Sequence, residues 1–245
     1  MKDNRQFMKA FDWGVELSTK SDQQKGYKMP DMFKSHGGYD LIALPKMEDI
    51  SVEEKSFSNI IMDRRSRRKY TGEAISIDTL SYLLYTNSGV TKTLENTYLR
   101  AYPSGGNRQT FETYLTIQNI QGLKEGIYRY LPLEHALIYL NELDQLNDRL
   151  AAACAGQIWV KKAAVTFIWT CIPYRGEWRY MDRAHKVMLL DAGHLCQNLY
   201  LACEALDNLG TCAIGAYDQK KMDELISVDG DDEYVIYLSP VGVYR

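Results

Sequence analysis

The sequence predicts an α+β domain, on three observations. Two alternating segments, "GIYRYLP" and "HALIYL", face each other across a short turn at Pro132 and Leu133, which calls for an antiparallel hairpin. A long segment, "HKVMLLDAGHLCQNLYLACEALDNLG", is apolar nearly all round a helix. Strands and helices are mixed along the chain, so sheet and helices share one domain.

The elements follow in order. Residues 1–50 include "TKSDQQKGYKMPDMFKSHGGYD", polar and punctuated by Gly, Pro and Asp, and read as an irregular arm with a short helix before it. The remainder, 51–245, is the folded domain. "SVEEKSFSNIIMDRR" is helical, with Phe57, Ile60 and Ile61 on one face. "SIDTLSYLLYTNSG" starts a helix at Ser76, carries Ile77, Leu80, Leu83 and Leu84 inward, and stops at Gly89. "FETYLTIQNI" is a strand, and the hairpin follows it. "QLNDRLAAACAGQIWVKK" is helical in pattern, and "AAVTFIWTC" is a buried strand. The long apolar helix comes next, central in the fold or buried in a subunit interface, with Gly210 as its stop. "EYVIYLSPVGVY" is the last strand.

Composition narrows the function. The formal net charge of −3 over 245 residues argues against a dedicated nucleic-acid binder. No apolar run reaches the ~18–20 residues that span a bilayer, and the first residues lack the apolar core of a secretory signal. Five cysteines without a Cys-x-x-Cys read as reduced structural thiols, and the four histidines show no ligand spacing. The expected place is the cytoplasm.

Against this acidic background stands "DRRSRRKYTG", where five of the six residues from Arg64 to Lys69 are basic. If extended, its period of two puts Arg64, Ser66 and Arg68 on one face and Arg65, Arg67 and Lys69 on the other. Two guanidinium forks around a hydroxyl suit a phosphate. A solvated basic turn is the alternative. "AYPSGGNRQTF" supplies a Gly/Ser/Asn loop through which backbone amides can approach a ligand. "LGTCAIGAYD" follows the long helix with small residues against which a flat ring can pack. Neither GxGxxG nor a P-loop occurs.

These segments, with "LIALPK", "GLKEGIYRYLPLEHAL" and "VIYLSPVGVY", resemble in order and spacing the FMN-dependent nitroreductase-like flavoproteins. Within them the chain is most similar to the SagB-type dehydrogenases, the flavin oxidases of thiazole- and oxazole-containing peptide biosynthesis. The resemblance runs from Glu16 to Arg245. It implies a nitroreductase-like fold, with a central, mostly antiparallel sheet flanked by helices, in an intertwined homodimer with flavin sites at the interface. It implies FMN, held at its phosphate and ribityl chain by Arg64, Arg65, Ser66 and Arg68, with Arg245 adding charge. Pro103, Ser104 and Asn107 would line the flavin, Gln157 would contact the polar edge of its ring, and the backbone of Ile214, Gly215 and Ala216 would face the ring near N5. Arg65 is contested, since alternation turns it away and the family pattern turns it inward.

The dehydrogenase branch often carries a Lys-Tyr pair upstream of "DAGH", and here the pair is Arg179 and Tyr180. Arginine stays charged and is a poor base, which favours a general FMN oxidoreductase over an azoline oxidase. Tyr180 is a proton donor or a packed aromatic; His194 reads as a structural histidine on an apolar helix. The resemblance implies ping-pong hydride transfer, with NAD(P)H or an azoline-like heterocycle as donor and oxygen, a nitroaromatic or a quinone as acceptor. No nucleic-acid or membrane partner is expected. The alternative is a flavin-binding protein without turnover, or a partner subunit of a peptide-modification complex that docks through residues 1–50.

Overall fold

The structure, a computed structural model, describes residues 5, 7–9, 19–53 and 55–245. The short helix expected ahead of the polar arm falls in a stretch that lies largely outside them. Nine strands appear among the described residues: β1 Leu41–Ala43, β2 Val90–Leu94, β3 Thr97–Arg100, β4 Phe111–Ile117, β5 Gly126–Leu131, β6 Ala136–Asn141, β7 Val165–Cys171, β8 Leu209–Thr211 and β9 Tyr234–Val243. Seven form one sheet in the order β1-β6-β5-β4-β7-β9-β8, with every pairing antiparallel; β2 and β3 form a separate hairpin. The helices are α1 Phe57–Asp63, α2 Ile77–Ser88, α3 Leu146–Ala153, α4 Tyr174–Tyr180, α5 Ala184–Ala205 and α6 Gln219–Ile226. The hairpin read from the sequence is β5–β6, and the last strand is β9. The expected arm contributes β1, an edge strand paired with β6.

Alternation along the central strands sends side chains to two cores. Phe167 and Trp169 of β7 join Leu115 of β4, Leu80 and Leu83 of α2, and Leu195 and Leu199 of α5. Ile168 turns the other way, with Tyr114, Ile127, Leu150 of α3 and Met222 and Leu225 of α6. Both faces are therefore covered, and β4 and β7 are buried at every position. Truncating a side chain such as the fully buried Trp169 to alanine costs about 3–5 kcal/mol. α2 begins as the sequence predicts: the Ser76 hydroxyl accepts from the Thr79 N–H at 3.1 Å, a cap of about 1 kcal/mol.

Two local readings change. The segment 145–162 is not one helix, because Ala155 (φ 54°) and Gly156 (φ 79°) are left-handed and separate α3 from a 3-10 turn at Ile158–Lys162. Gly210 does not stop the long helix: α5 closes at Ala205, and Gly210 lies inside β8. Its role is close approach, since a Cβ there would meet the Arg67 Cβ at 2.8 Å. The β2–β3 hairpin and α4 are elements the sequence reading did not assign.

One buried ion pair lies beneath β4. Arg175 donates to Glu112 at 2.6 Å, with both side chains almost completely buried. All five cysteines are free and buried, as expected of structural thiols.

Candidate functional site

The arginine segment is extended, and it lies alongside β8. Ser66 makes a parallel bridge to Thr211, and the Arg67 N–H donates to the Thr211 carbonyl at 3.0 Å. Alternation then separates the cations. Arg64 and Ser66 turn toward Tyr200 of α5, the Arg64 guanidinium standing 5.4 Å from its ring centroid. Arg67 does not point outward as alternation predicts. It is half-buried, stacked 3.9 Å from the Tyr244 ring centroid and within 3.5 Å of Glu204. Arg65 is exposed and donates to the Met62 and Arg64 carbonyls at 2.8 Å, closing the C-terminal end of α1. Arg68 is exposed, and Arg245 pairs with Glu73 at 2.7 Å.

Tyr200 ties this segment to the small-residue loop. Its hydroxyl lies 3.0 Å from the Ser66 hydroxyl and accepts the Ala213 N–H at 2.9 Å. Burial pushes its pKa up, so it stays a neutral donor and acceptor. Ile214 is pinned by its N–H to the Leu238 carbonyl at 2.8 Å, whereas Gly215 and Ala216 are exposed. The Gln157 amide donates to the Ala216 carbonyl at 3.1 Å. Arg64, Ser66, Gln157 and Ile214–Ala216 are thus brought together. Tyr200 is one residue the sequence does not point to; an aromatic on an apolar helix carries no signal other than core packing.

The Gly/Ser/Asn loop is organised separately. The Asp191 carboxylate of α5 accepts the Gly105 N–H at 2.7 Å, and Ser104 bonds the same carboxyl. Burial raises the pKa of Asp191, and these two hydrogen bonds oppose the rise. The Ser104 hydroxyl accepts the Gln109 N–H at 3.0 Å. The Asn107 amide donates to Thr97 and to the Tyr98 carbonyl, fastening the loop to β3, while Pro103 is exposed. Tyr180 stands directly behind the loop: a Cβ on Gly106 would fall 2.1 Å from its hydroxyl. The Arg179 guanidinium lies 5.2 Å from the Tyr180 ring centroid. His194 is exposed on α5, not a packed structural histidine.

Helix α5 separates the two groups. At ~100° per residue, Asp191 and Asn198 lie at nearly the same azimuth and Tyr200 about 200° beyond Asn198. Asn198 donates to the Ala101 carbonyl at 3.2 Å, on the side of the Gly/Ser/Asn loop. Tyr200 holds the arginine segment on the opposite side. Tyr180 belongs with the loop, so one chain does not bring Tyr180 and the arginines to the same place.

The donor set fits a phosphate-bearing group. Arg67 and Arg245 are matched by Glu204 and Glu73, whereas Arg64 and Arg68 have no carboxylate partner among the described residues. Beside them lie a serine hydroxyl, the exposed backbone of Gly215 and Ala216 and a primary amide. These are the contacts that a phosphate on a flat heterocycle requires.

The chain belongs to the nitroreductase family, whose model matches residues 61–243. Family membership makes it a flavin oxidoreductase in the general sense, and members of this family bind FMN. A Methanocaldococcus jannaschii protein named as a nitroreductase is 29% identical over 201 residues, covering 82% of this chain and 95% of that one. The trifolitoxin-processing protein TfxB of Rhizobium leguminosarum bv. trifolii is 31% identical over 144 residues, 54% of this chain and 38% of that protein. A nitroreductase structure from Anabaena variabilis superposes with a TM-score of 0.64 at 29% identity, over 76% of this chain and 37% of that one. A chain of the Escherichia coli microcin synthetase complex, solved with truncated pro-MccB17 bound, gives 0.65 at 18% identity over 96% and 86%. A Desulfovibrio desulfuricans nitroreductase in complex with FMN gives 0.55 at 21% identity over 78% and 87%. No described helix is long and apolar enough to cross a membrane.

Proposed function

We propose that the protein is an FMN-dependent oxidoreductase that works as a homodimer, each site assembled from both copies. The observation that carries this reading is the division made by α5. Arg64, Ser66, Gln157 and Ile214–Ala216 lie on one side, with exposed Arg68 two residues on from Ser66, and the Pro103–Asn107 loop with Tyr180 lies on the other. A second copy supplies the missing half. Exposed apolar side chains are available for that contact: Phe57, Ile61 and Met62 on α1, and Leu189 and Leu190 on α5, which packs against α1. Isologous pairing buries the same patch twice.

In this site Arg64 and Arg68 bind the phosphate, with Ser66 as a third donor. Arg65 contributes charge only by releasing the α1 carbonyls, and Arg245 only by releasing Glu73. The Ile214–Ala216 backbone and the Gln157 amide hold the ring. Pro103, Ser104 and Asn107 of the second copy exclude water from its other face. FMN, when bound, supplies hydride chemistry. Tyr180 is the nearest candidate to hold a proton for the substrate. The side chain beside it is Arg179, where a lysine would be a better base. This favours a general reductase or oxidase, with NAD(P)H as donor and a nitroaromatic, quinone or oxygen as acceptor, in ping-pong order. Five free thiols fit a reducing compartment, the cytoplasm.

A second reading is favoured by the likeness to a trifolitoxin-processing protein and to a microcin synthetase chain. It makes this chain a SagB-type dehydrogenase acting on azoline peptides, or a flavin-bearing partner subunit of a peptide-modifying complex. Anaerobic mixing separates the readings. Bleaching of the FMN-loaded protein by NADH or NADPH supports the first, and bleaching by azoline peptides alone supports the dehydrogenase. Colour that no donor removes supports the non-catalytic subunit. A protein that takes up no FMN refutes all of them.

A further inference from the structure

A cavity lies on the sheet face that carries Tyr114 and Ile127, and none of the candidate flavin-site residues lines it. Its volume is about 370 Å³, at the small end of ligand cavities. Arg129 of β5 and Asn141 of β6 contribute to its lining, with Lys34, Ser35 and His36 from the preceding segment and Ile226 from the end of α6. Gly37 (φ 64°), also in the lining, and Gly38 (φ 83°) are left-handed and turn that segment.

The charges around it do not balance. Glu112 is matched by Arg175 at 2.6 Å and also accepts the Lys34 N–H at 3.0 Å. Glu233 is matched by the Lys34 ammonium and accepts the Thr170 hydroxyl at 2.7 Å. Both carboxylates are therefore spoken for by Arg175 and Lys34, and Arg129 is left over. It is 4% exposed, and it forms no ion pair among the described residues. Its Nη2 donates to the Ser35 carbonyl, but Nε and Nη1 are buried without a hydrogen-bond partner. An isolated buried guanidinium with two idle donors is strongly unfavourable unless an anion meets it.

We propose that this cavity is a second ligand site, taking a carboxylate borne on a compact apolar or aromatic group, with Arg129 as its anchor. The class follows from the balance and the walls. A single buried guanidinium without an ion pair offers one planar fork, which one carboxylate fills. Ile138, Leu140 and Tyr39 give the body of the ligand an apolar surface. Such a carboxylate belongs either to a small free acid or to the C-terminus of a peptide ending in an apolar residue.

The test uses full-length, FMN-loaded protein and thermal unfolding. The probes are benzoate, a tripeptide ending in phenylalanine, the same tripeptide as its amide, and inorganic phosphate. At a hundredfold excess over Kd, a bound acid should raise Tm by roughly 5–10 °C without changing the flavin spectrum. A shift with benzoate points to a small acid, and a shift with the tripeptide acid but not its amide points to a peptide terminus. Arg129→Met should abolish the shift, and its own Tm should equal or exceed that of the wild type, because the idle charge is gone. If Arg129→Met fails to fold, the acid-against-amide comparison on the wild type still decides. A response to phosphate alone, an equal response to acid and amide, or no response to any probe overturns the proposal.

Discussion

Complementation between two defective chains tests the shared site directly. One chain carries Arg64→Ala and Arg68→Ala, and the other carries Gly106→Val. Each arginine lost removes charge-assisted hydrogen bonds of about 1.5–3 kcal/mol, so each should weaken FMN binding roughly tenfold to a hundredfold. Gly106 has φ 59°, and its Cβ would lie 2.1 Å from the Tyr180 hydroxyl. A β-branched residue there must displace Tyr180 and pays ~1–2 kcal/mol for the left-handed backbone as well. Each parent homodimer should therefore hold little FMN and turn over poorly. When the two are unfolded together and refolded, random pairing makes about half the dimers mixed, each with one whole site, so about a quarter of wild-type sites should return. Flavin content and NAD(P)H-dependent bleaching of the mixture, compared with the parents alone, are the assay. If both halves of a site came from the same chain, the mixed dimer would carry one site without its arginines and one without its loop. A mixture no better than its parents, with mixed dimers confirmed by tag pull-down, would refute the reasoning.

Other outcomes follow from the same contacts. Tyr200→Phe removes the hydroxyl shared by Ser66 and the Ala213 N–H, two bonds at about 0.5–1.5 kcal/mol each. It should weaken FMN binding severalfold and lower the urea midpoint, and Ser66→Ala, which spares the Ala213 bond, should lower the midpoint less; an equal drop in midpoint would contradict a contribution from the Tyr200–Ala213 bond. Arg175→Met leaves Glu112 buried without its guanidinium and should cost about 3–5 kcal/mol in urea unfolding. Cys154, Cys171 and Cys196 are pushed up by burial to about 12 from 9.0. Above pH 9 the unfolded chain loses thiol protons that the native one keeps, so stability should fall as pH rises from 9 toward 12, by up to ~1.4 kcal/mol per thiol per pH unit. Urea midpoints measured across that window, with Cys171→Ala expected to flatten the slope, check the assignment.

The parts of the fold legible in the sequence are those in which neighbouring residues repeat a period. Ser76 followed by Ile77, Leu80, Leu83 and Leu84 fixes α2, and a short apolar run of β-branched and aromatic residues fixes β7. The candidate site is legible where chemistry clusters locally, in Arg64–Arg68, Ser104–Asn107 and Ile214–Ala216. What escapes is set by partners distant in sequence. Gly210 looks like a helix stop until Arg67 is seen packed on it. Tyr200 and Asp191 look like ordinary positions of an apolar helix, yet one hydroxyl fastens the arginine segment and one carboxylate the glycine loop. Arg67 breaks its alternation because Tyr244 and Glu204 offer it a ring and a charge, and neither is near it in sequence.

The pairing of the cations carries the functional argument further than their number does. Arg67, Arg175 and Arg245 each meet a carboxylate, and their charges are accounted for within the chain. Arg64 and Arg68 meet none among the described residues, although pairing them with one more acidic residue would cost an acidic protein little. Leaving them unpaired beside an exposed backbone loop keeps a local positive field where an anion can replace water. The same logic applies inside the molecule. Arg129 is retained in a site where methionine would pack without an idle donor, on the far side of the sheet from α5. An uncompensated surface arginine costs almost nothing, whereas a buried one is tolerated only if something pairs with it for part of the time. On the two proposals, the surface pair meets a ligand that enters and leaves through solvent, and the buried residue meets one that must be desolvated to bind.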